Sequence, residues 1–254
     1  MSDKREREKR REERLRQEEG AAGRDRRRRL IQLGSAAAFL AIAAVAVAIV
    51  VSQSQSDGGD ASSVEDTGLV NSQLRGIPQN GMVLGDPGAK ATLVEFGDLQ
   101  CPACKQYAEE VLPEVIAGPV RRGEAKLDFR NYVIIGAQST TAGAAAIAAG
   151  KQGRGWSFVE LFYRNQGFEN SGYVTDDFLT AIAKGAGVPD IAQWNADRKS
   201  KAVLREVNRT TNQASSLGFS GTPSFAVQGR SGGLNPIGTP SSAGEVESAL
   251  GQVN

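Results

Sequence analysis

Histidine is absent from this chain, and cysteine occurs only twice in 254 residues. A structural zinc site needs a full tetrahedral set of Cys or His ligands. No zinc finger or ribbon can therefore close within one copy of the chain. A metal or iron–sulfur centre shared between two chains stays open under the ligand rules. Methionine is as scarce, Met1 and Met82 alone, so no methionine cluster stands by to help a two-cysteine copper site. Net charge is nearly absent too, at +1, but that average conceals a strongly basic end and a more acidic remainder. No internal repeat is evident.

Residues 1–29 consist mostly of Arg, Lys and Glu and contain almost nothing apolar. Such a stretch cannot bury a core and reads as disordered or as a solvated charged helix. Its run Arg26-Arg27-Arg28-Arg29 raises the question of nucleic acid. The adjoining segment answers it differently. From Leu30 to Val51 the chain is almost wholly apolar and carries no charge, which is long enough to cross a bilayer as a helix. Basic residues directly before the span, and Asp57, Asp60, Glu65 and Asp66 beyond it, keep the amino terminus in the cytoplasm by the positive-inside rule. The same arginines attract anionic headgroups, so no nucleic-acid partner is expected. A cleaved signal peptide is the competing reading. The long charged leader and the lack of a clear Ala-x-Ala before the polar region argue for an uncleaved signal-anchor. Either way the cysteines end outside the cytoplasm, where disulfides form and persist.

Residues 52–73 are rich in Ser, Gly, Asp and Gln and read as a flexible tether. The folded part is expected over residues 74–254. Val83-Leu84 reads as a short strand, and Ala91–Phe96 as an apolar strand that ends just before the cysteines. A helix is expected over Pro102–Leu112, interrupted by Pro113. Leu127–Ile134 alternates apolar and polar residues as a second strand. From about residue 139 to 217 the periodicity is helical: Thr140–Gly150, an aromatic segment Phe158–Tyr163, Asp176–Gly185 and Ser200–Leu217. Those apolar stripes read as core. Pro223 precedes an apolar run, which suits an edge strand or a cis peptide bond. A last helix covers Ser242–Leu250. Strand, helix, strand, helical block, strand, helix is an α/β order.

The pair Cys101-Pro102-Ala103-Cys104 lies where a strand gives way to a helix. A sulfur at the positive end of a helix is stabilised as thiolate, the nucleophilic form. The second sulfur is close enough to displace whatever the first has bonded. A merely structural disulfide is a weak alternative, since so small a loop removes little entropy from the unfolded chain. Asp98 reads as a loop or helix-start residue without a catalytic role, and Lys105 as a solvated helix lysine.

Glu95-Phe96-Gly97-Asp98-Leu99-Gln100-Cys101-Pro102-Ala103-Cys104-Lys105, with Gly221-Thr222-Pro223-Ser224-Phe225 far downstream, resembles the DsbA-like thiol–disulfide oxidoreductases from residue 74 onward. The resemblance implies a thioredoxin fold with a helical insertion, here about residues 139–217, preceded by one transmembrane helix over residues 30–51. It makes Cys101 the exposed nucleophile and Cys104 the buried resolving thiol, with Pro102 and Ala103 as helix-start neighbours. Glu95 falls at the position of a buried acid that relays a proton as the inner thiol ionises. The competing reading of Glu95 is an exposed strand residue or a structural ion pair. Pro223 would be the cis-proline packed against the disulfide. Thr222 would offer backbone groups to an extended substrate peptide by strand addition. No cofactor beyond the Cys101–Cys104 disulfide is implied. The implied partners are exported cysteine-containing proteins and a membrane redox protein that recycles the disulfide. A strong oxidant of this family often carries histidine between the cysteines. Pro102-Ala103 lacks it, which implies a less acidified Cys101 and a milder oxidant. Two other readings stay open: a membrane-tethered reductase using the same site, and a redox-inactive binding or metal-carrier protein.

Overall fold

The computed structural model describes residues 64–230 and 232–253, all within one unit of residues 61–254. Residues 1–63, with the charged segment, the predicted span and most of the predicted tether, lie outside the described residues. Among the described residues no helix is long and apolar enough to cross a membrane.

The fold starts earlier than residue 74. Helix α1, Thr67–Leu74, buries Val70 and Leu74 at one-turn spacing. It is pinned by Arg121, whose guanidinium donates to the carbonyls of Gln73 at 2.6 Å and Arg75 at 3.0 Å. The tether expected to run to residue 73 therefore overreached. Its polar average hid two apolar residues four apart, enough for one buried face.

Two short strands come next, β1 (Gln79–Asn80) and β2 (Val83–Leu84), and then the central strand β3 (Ala91–Gly97). Helix α2 (Pro102–Glu110) and the short α3 (Leu112–Val115) lead through a wide turn over Ile116–Val120 into β4 (Ala125–Asn131). The helical block comprises α4 (Ala137–Gly150), α5 (Gly155–Arg164), α6 (Asp176–Gly185), α7 (Ile191–Asp197) and α8 (Lys201–Ser216). Strands β5 (Ser224–Gln228) and β6 (Leu234–Ile237) and helix α9 (Ala243–Gly251) complete it. Thr175, Asp190, Ser200 and Ser242 cap α6 to α9, each side chain accepting from the N–H three residues on.

The strands form one sheet in the order β1-β2-β4-β3-β5-β6, with β3 and β4 parallel and the other pairs antiparallel. Strand β3 is central and buried along nearly its whole length, which explains its continuous apolar run. Side chains alternate faces along a strand. Val94 and Phe96 therefore pack with Ala226, Tyr132 and Ala214 of α8. Ala91 and Leu93 point the other way, into the larger core with Tyr107, Phe129, Trp156 and Phe225. That core is closed by two buried indoles whose N–H groups find carbonyls, Trp156 on Met82 at 2.7 Å and Trp194 on Ala145 at 2.9 Å.

One sequence expectation shifts, and two elements appear that the sequence did not announce. The second strand ends at Asn131 instead of Ile134, because the amides of Val133, Ile134 and Ile135 leave the sheet for the Thr211 hydroxyl and the Asp98 carboxylate. Helix α7 and strand β6 carried too little periodicity to be read. In β6, Pro236 is tolerated because the strand lies at the sheet edge.

Candidate active site

Because β3 has a two-residue repeat, Glu95 shares a face with Leu93 and turns toward the core that holds α2. Its register neighbours are Phe129 on β4 and Phe225 on β5. A carboxyl flanked by two phenyl rings has lost its water. Glu95 is 2% exposed, and neither carboxyl oxygen has a hydrogen-bond partner. Burial first, then the charges of Glu160 and Cys101, push its pKa up to about 8. The strand next needs glycine. A Cβ on Gly97 would lie 2.7 Å from the Phe129 ring, 2.9 Å from Tyr163 Oη and 3.2 Å from Glu95 Oε1. The exposed and ion-paired readings of Glu95 both fall away.

Cys101 is the N-cap of α2 and Pro102 opens the helix, so the first-turn amides of Ala103 and Cys104 are free to face the Cys101 sulfur. The Cys101 thiol donates to the Thr222 carbonyl at 3.4 Å. Both cysteines are free thiols, Cys101 8% exposed and Cys104 fully enclosed. Their acidities are driven apart. A hydrogen bond from Cys104 is the main cause that brings Cys101 down to about 6; burial opposes it, and the Thr222 side chain and the Cys104 and Ala103 amides add to it. Cys104 goes well above its ordinary value, mainly by burial and then through Cys101 and Glu95. The Thr222–Pro223 bond is cis, and β5 begins at the next residue, inside the sheet rather than at its edge.

The structure thus brings Glu95, Cys101, Pro102, Ala103, Cys104, Thr222 and Pro223 to one place. Lys105 stands apart, 3.9 Å from Glu109 one helical turn on. Asp98 carries more than the sequence suggested. It is 1% exposed, and its carboxylate accepts from the amides of Gln100 at 2.9 Å, Ile134 at 2.9 Å and Ile135 at 3.1 Å. Its carbonyl also accepts from the Cys101 amide at 2.9 Å. Asp98 ties the cysteine turn to the end of β4. Gln166 was also missed: its side-chain amide donates to the carbonyls of Leu99 at 2.7 Å and Cys101 at 3.2 Å. Gln100 joins the set by donating to the Ser139 hydroxyl and accepting from the Asn170 amide, both at 2.9 Å. No local sequence signal marks Gln166, since its meaning lies in contacts with a loop far away in the chain.

Residues 78–243 match the profile of a family described as Thioredoxin. A probable disulfide bond formation protein D of Bacillus cereus is 34% identical over 150 residues, covering 58% of this chain and 69% of the relative. Among solved structures, oxidised BdbD from Bacillus subtilis superposes with a TM-score of 0.59 at 23% identity, over 70% of this chain and 95% of that one. A thioredoxin-like oxidoreductase from Silicibacter pomeroyi gives 0.53 at 28% identity, over 74% and 96%. Proteins of this kind work through a redox-active cysteine pair and need no cofactor. The chain belongs to the thioredoxin family, as a thiol–disulfide oxidoreductase.

Proposed function

We propose that this protein forms disulfides in exported proteins outside the cytoplasm, with Cys101 as nucleophile and Cys104 as resolving thiol. The observation that carries this reading is the placement of two free thiols one helical turn apart, Cys101 capping α2 against the Thr222 carbonyl and Cys104 fully enclosed, which splits their acidities. Cys101 at about 6 is ionised near neutral pH, which makes it a good leaving group, while buried Cys104 holds its proton.

In the oxidising direction a substrate thiolate attacks Cys101 Sγ of the disulfide. The Cys101–Cys104 bond breaks, its electron pair goes to Cys104 Sγ, and Glu95 hands over the proton. The second substrate thiolate then attacks the substrate sulfur of the mixed disulfide and releases Cys101 as thiolate. The substrate loses two electrons and the cysteine pair gains them. Thr222, whose carbonyl already faces Cys101, aligns an extended substrate through backbone groups, with Pro223 following it across the cis peptide bond. Residues 30–51 anchor the domain, with residues 1–29 in the cytoplasm, and a membrane redox partner restores the disulfide.

The test is the reduction potential of the Cys101–Cys104 couple in the full chain, equilibrated against glutathione buffers. A value from about −120 to about −180 mV supports disulfide donation. A value near about −270 mV makes the protein a tethered reductase. Absence of any reversible couple overturns the enzyme reading of this site.

A further inference from the structure

Among the described residues the large apolar side chains left open to water are Leu69, Ile134 and Phe168. Scattered singly, such residues need no explanation. Two of them are not scattered. Phe168 is 88% exposed and Ile134 46%, and both stand on loops fastened to the cysteine turn.

The fastening runs through backbone and side-chain amides. Phe168 comes two residues after Gln166, whose side chain donates to the Leu99 and Cys101 carbonyls. It comes two residues before Asn170, whose backbone amide donates to Gln100 Oε1 at 2.9 Å. The Ser171 amide donates to the Phe168 carbonyl at 3.2 Å and closes a turn. On the other loop, the Ile134 amide donates to the Asp98 carboxylate at 2.9 Å. The two loops also meet. The Asn170 side chain donates to the Ile135 carbonyl at 3.4 Å, and a Cβ on Gly136 would stand 2.5 Å from Asn170 Oδ1. A braced loop, not a loose one, therefore holds the phenyl ring in water. Counted from the Cys101 carbonyl through Gln166 at 3.2 Å, Phe168 lies within about 15 Å, the span of roughly four or five residues of extended peptide.

The thiol chemistry fixes what can occupy this surface. In the mixed disulfide the substrate sulfur is bonded to Cys101 Sγ, so residues on either side of the substrate cysteine lie within that span. Cysteine is among the most often buried residue types. Stretches that carry it into a core also carry aliphatic and aromatic neighbours, and these are still exposed while the disulfides are unmade. Laying such a side chain on an exposed ring removes apolar surface of both from water.

We propose that Phe168, with Ile134, forms an apolar subsite that receives an aliphatic or aromatic side chain of an unfolded substrate, within about five residues of the cysteine joined to Cys101. The proposal rests on the nucleophile role given to Cys101 above. It adds a side-chain preference to the backbone recognition at Thr222.

The test follows disulfide transfer by stopped flow from the oxidised full chain to a polar, unstructured peptide with two cysteines. The two peptide thiols are oxidised and the Cys101–Cys104 disulfide is reduced. One leucine is placed in turn at each position within about five residues of the first cysteine, beside an all-polar peptide. Every rate is divided by the same variant's rate with dithiothreitol, so a variant with a damaged thiol site still reports its preference. In the wild type, leucine at one or more positions should raise the relative rate about fivefold over the polar peptide. Phe168→Ser should erase that preference, Phe168→Leu should keep most of it, and Leu69→Ser, on α1, should leave it intact. An unchanged preference in Phe168→Ser, or an equal loss in Leu69→Ser, overturns the proposal. A wild type that exchanges with neither the peptides nor dithiothreitol would sink the function proposed above. A wild type that exchanges with dithiothreitol and oxidises every peptide at one rate would sink only the subsite.

Discussion

Replacing Glu95 with glutamine should make the stability of this domain much less dependent on pH. The folded state raises the carboxyl from 4.5 to about 8, chiefly by burial. Between those values the folded protein holds a proton that the unfolded chain has released. Stability conferred by the protonated form is complete below the unfolded value and is lost as pH rises through the folded one. Each pH unit in that window is worth about 1.4 kcal/mol. From about pH 5 to about pH 8 the wild type should therefore lose roughly 3–4 kcal/mol on account of this group. For a domain of this size that corresponds to about 10 °C in Tm. Glutamine keeps the shape and never ionises, so Glu95→Gln should gain on the wild type by that amount across the window. The assay is thermal unfolding of both reduced proteins at several pH values. The charge of Glu160 contributes to the raised value, so the difference between the two proteins reports Glu95 together with that neighbour. A Tm gap that stays constant from about pH 5 to about pH 8 would refute the reasoning.

The same geometry sets two further outcomes. Cys104→Ala removes the hydrogen bond that contributes most to the low pKa of Cys101, so that pKa should rise from about 6 by about one unit or more; thiolate absorbance against pH measures it, and an unchanged midpoint would assign the effect to the α2 amides and Thr222. Asp98→Ala strands the amides of Gln100, Ile134 and Ile135. Of these only the Gln100 amide is buried, those of Ile134 and Ile135 being partly open to water; at roughly 1–3 kcal/mol for a buried unsatisfied donor, urea unfolding should show a loss of at least about 1 kcal/mol, and an unchanged stability would contradict the role described.

The cysteine turn was legible because its signals are local. A strand, two cysteines and a proline at the first helical position sit within a few residues, and the Thr-Pro pair before a late strand supplies the other wall. Glu95 was half legible: alternation along β3 puts it on the face of Leu93, but that this face is the one under α2 depends on which helices cover which side. Asp98, Gln100 and Gln166 look like ordinary loop residues, because their partners are Ile134, Ser139 and the Leu99 carbonyl, distant in sequence. Glu160 did leave a trace, a lone charge inside Phe158-Val159-Glu160-Leu161-Phe162. Read as part of a core stripe, that charge was passed over. Helix α1 failed for the opposite reason, since Val70 and Leu74 are too few to lift a polar segment above the composition of a tether.

The split between the two thiols also bears on direction. Both sulfurs feel the same helix end, so the dipole alone cannot separate them. Position does: Cys101 caps the helix and takes the free amides, while Cys104 lies inside the first turn, fully enclosed and within the field of Glu95. Under the proposed roles, Cys104 can attack a mixed disulfide only after something removes its proton, and Glu95 is the group beneath it able to do so. With a pKa of about 8, Glu95 can give up a proton to a fresh thiolate or take one from a thiol near neutral pH. The oxidising direction needs the first transfer and the reducing direction the second. Conditions that keep Glu95 protonated, low pH first among them, therefore slow the return attack by Cys104 and favour release of an oxidised substrate.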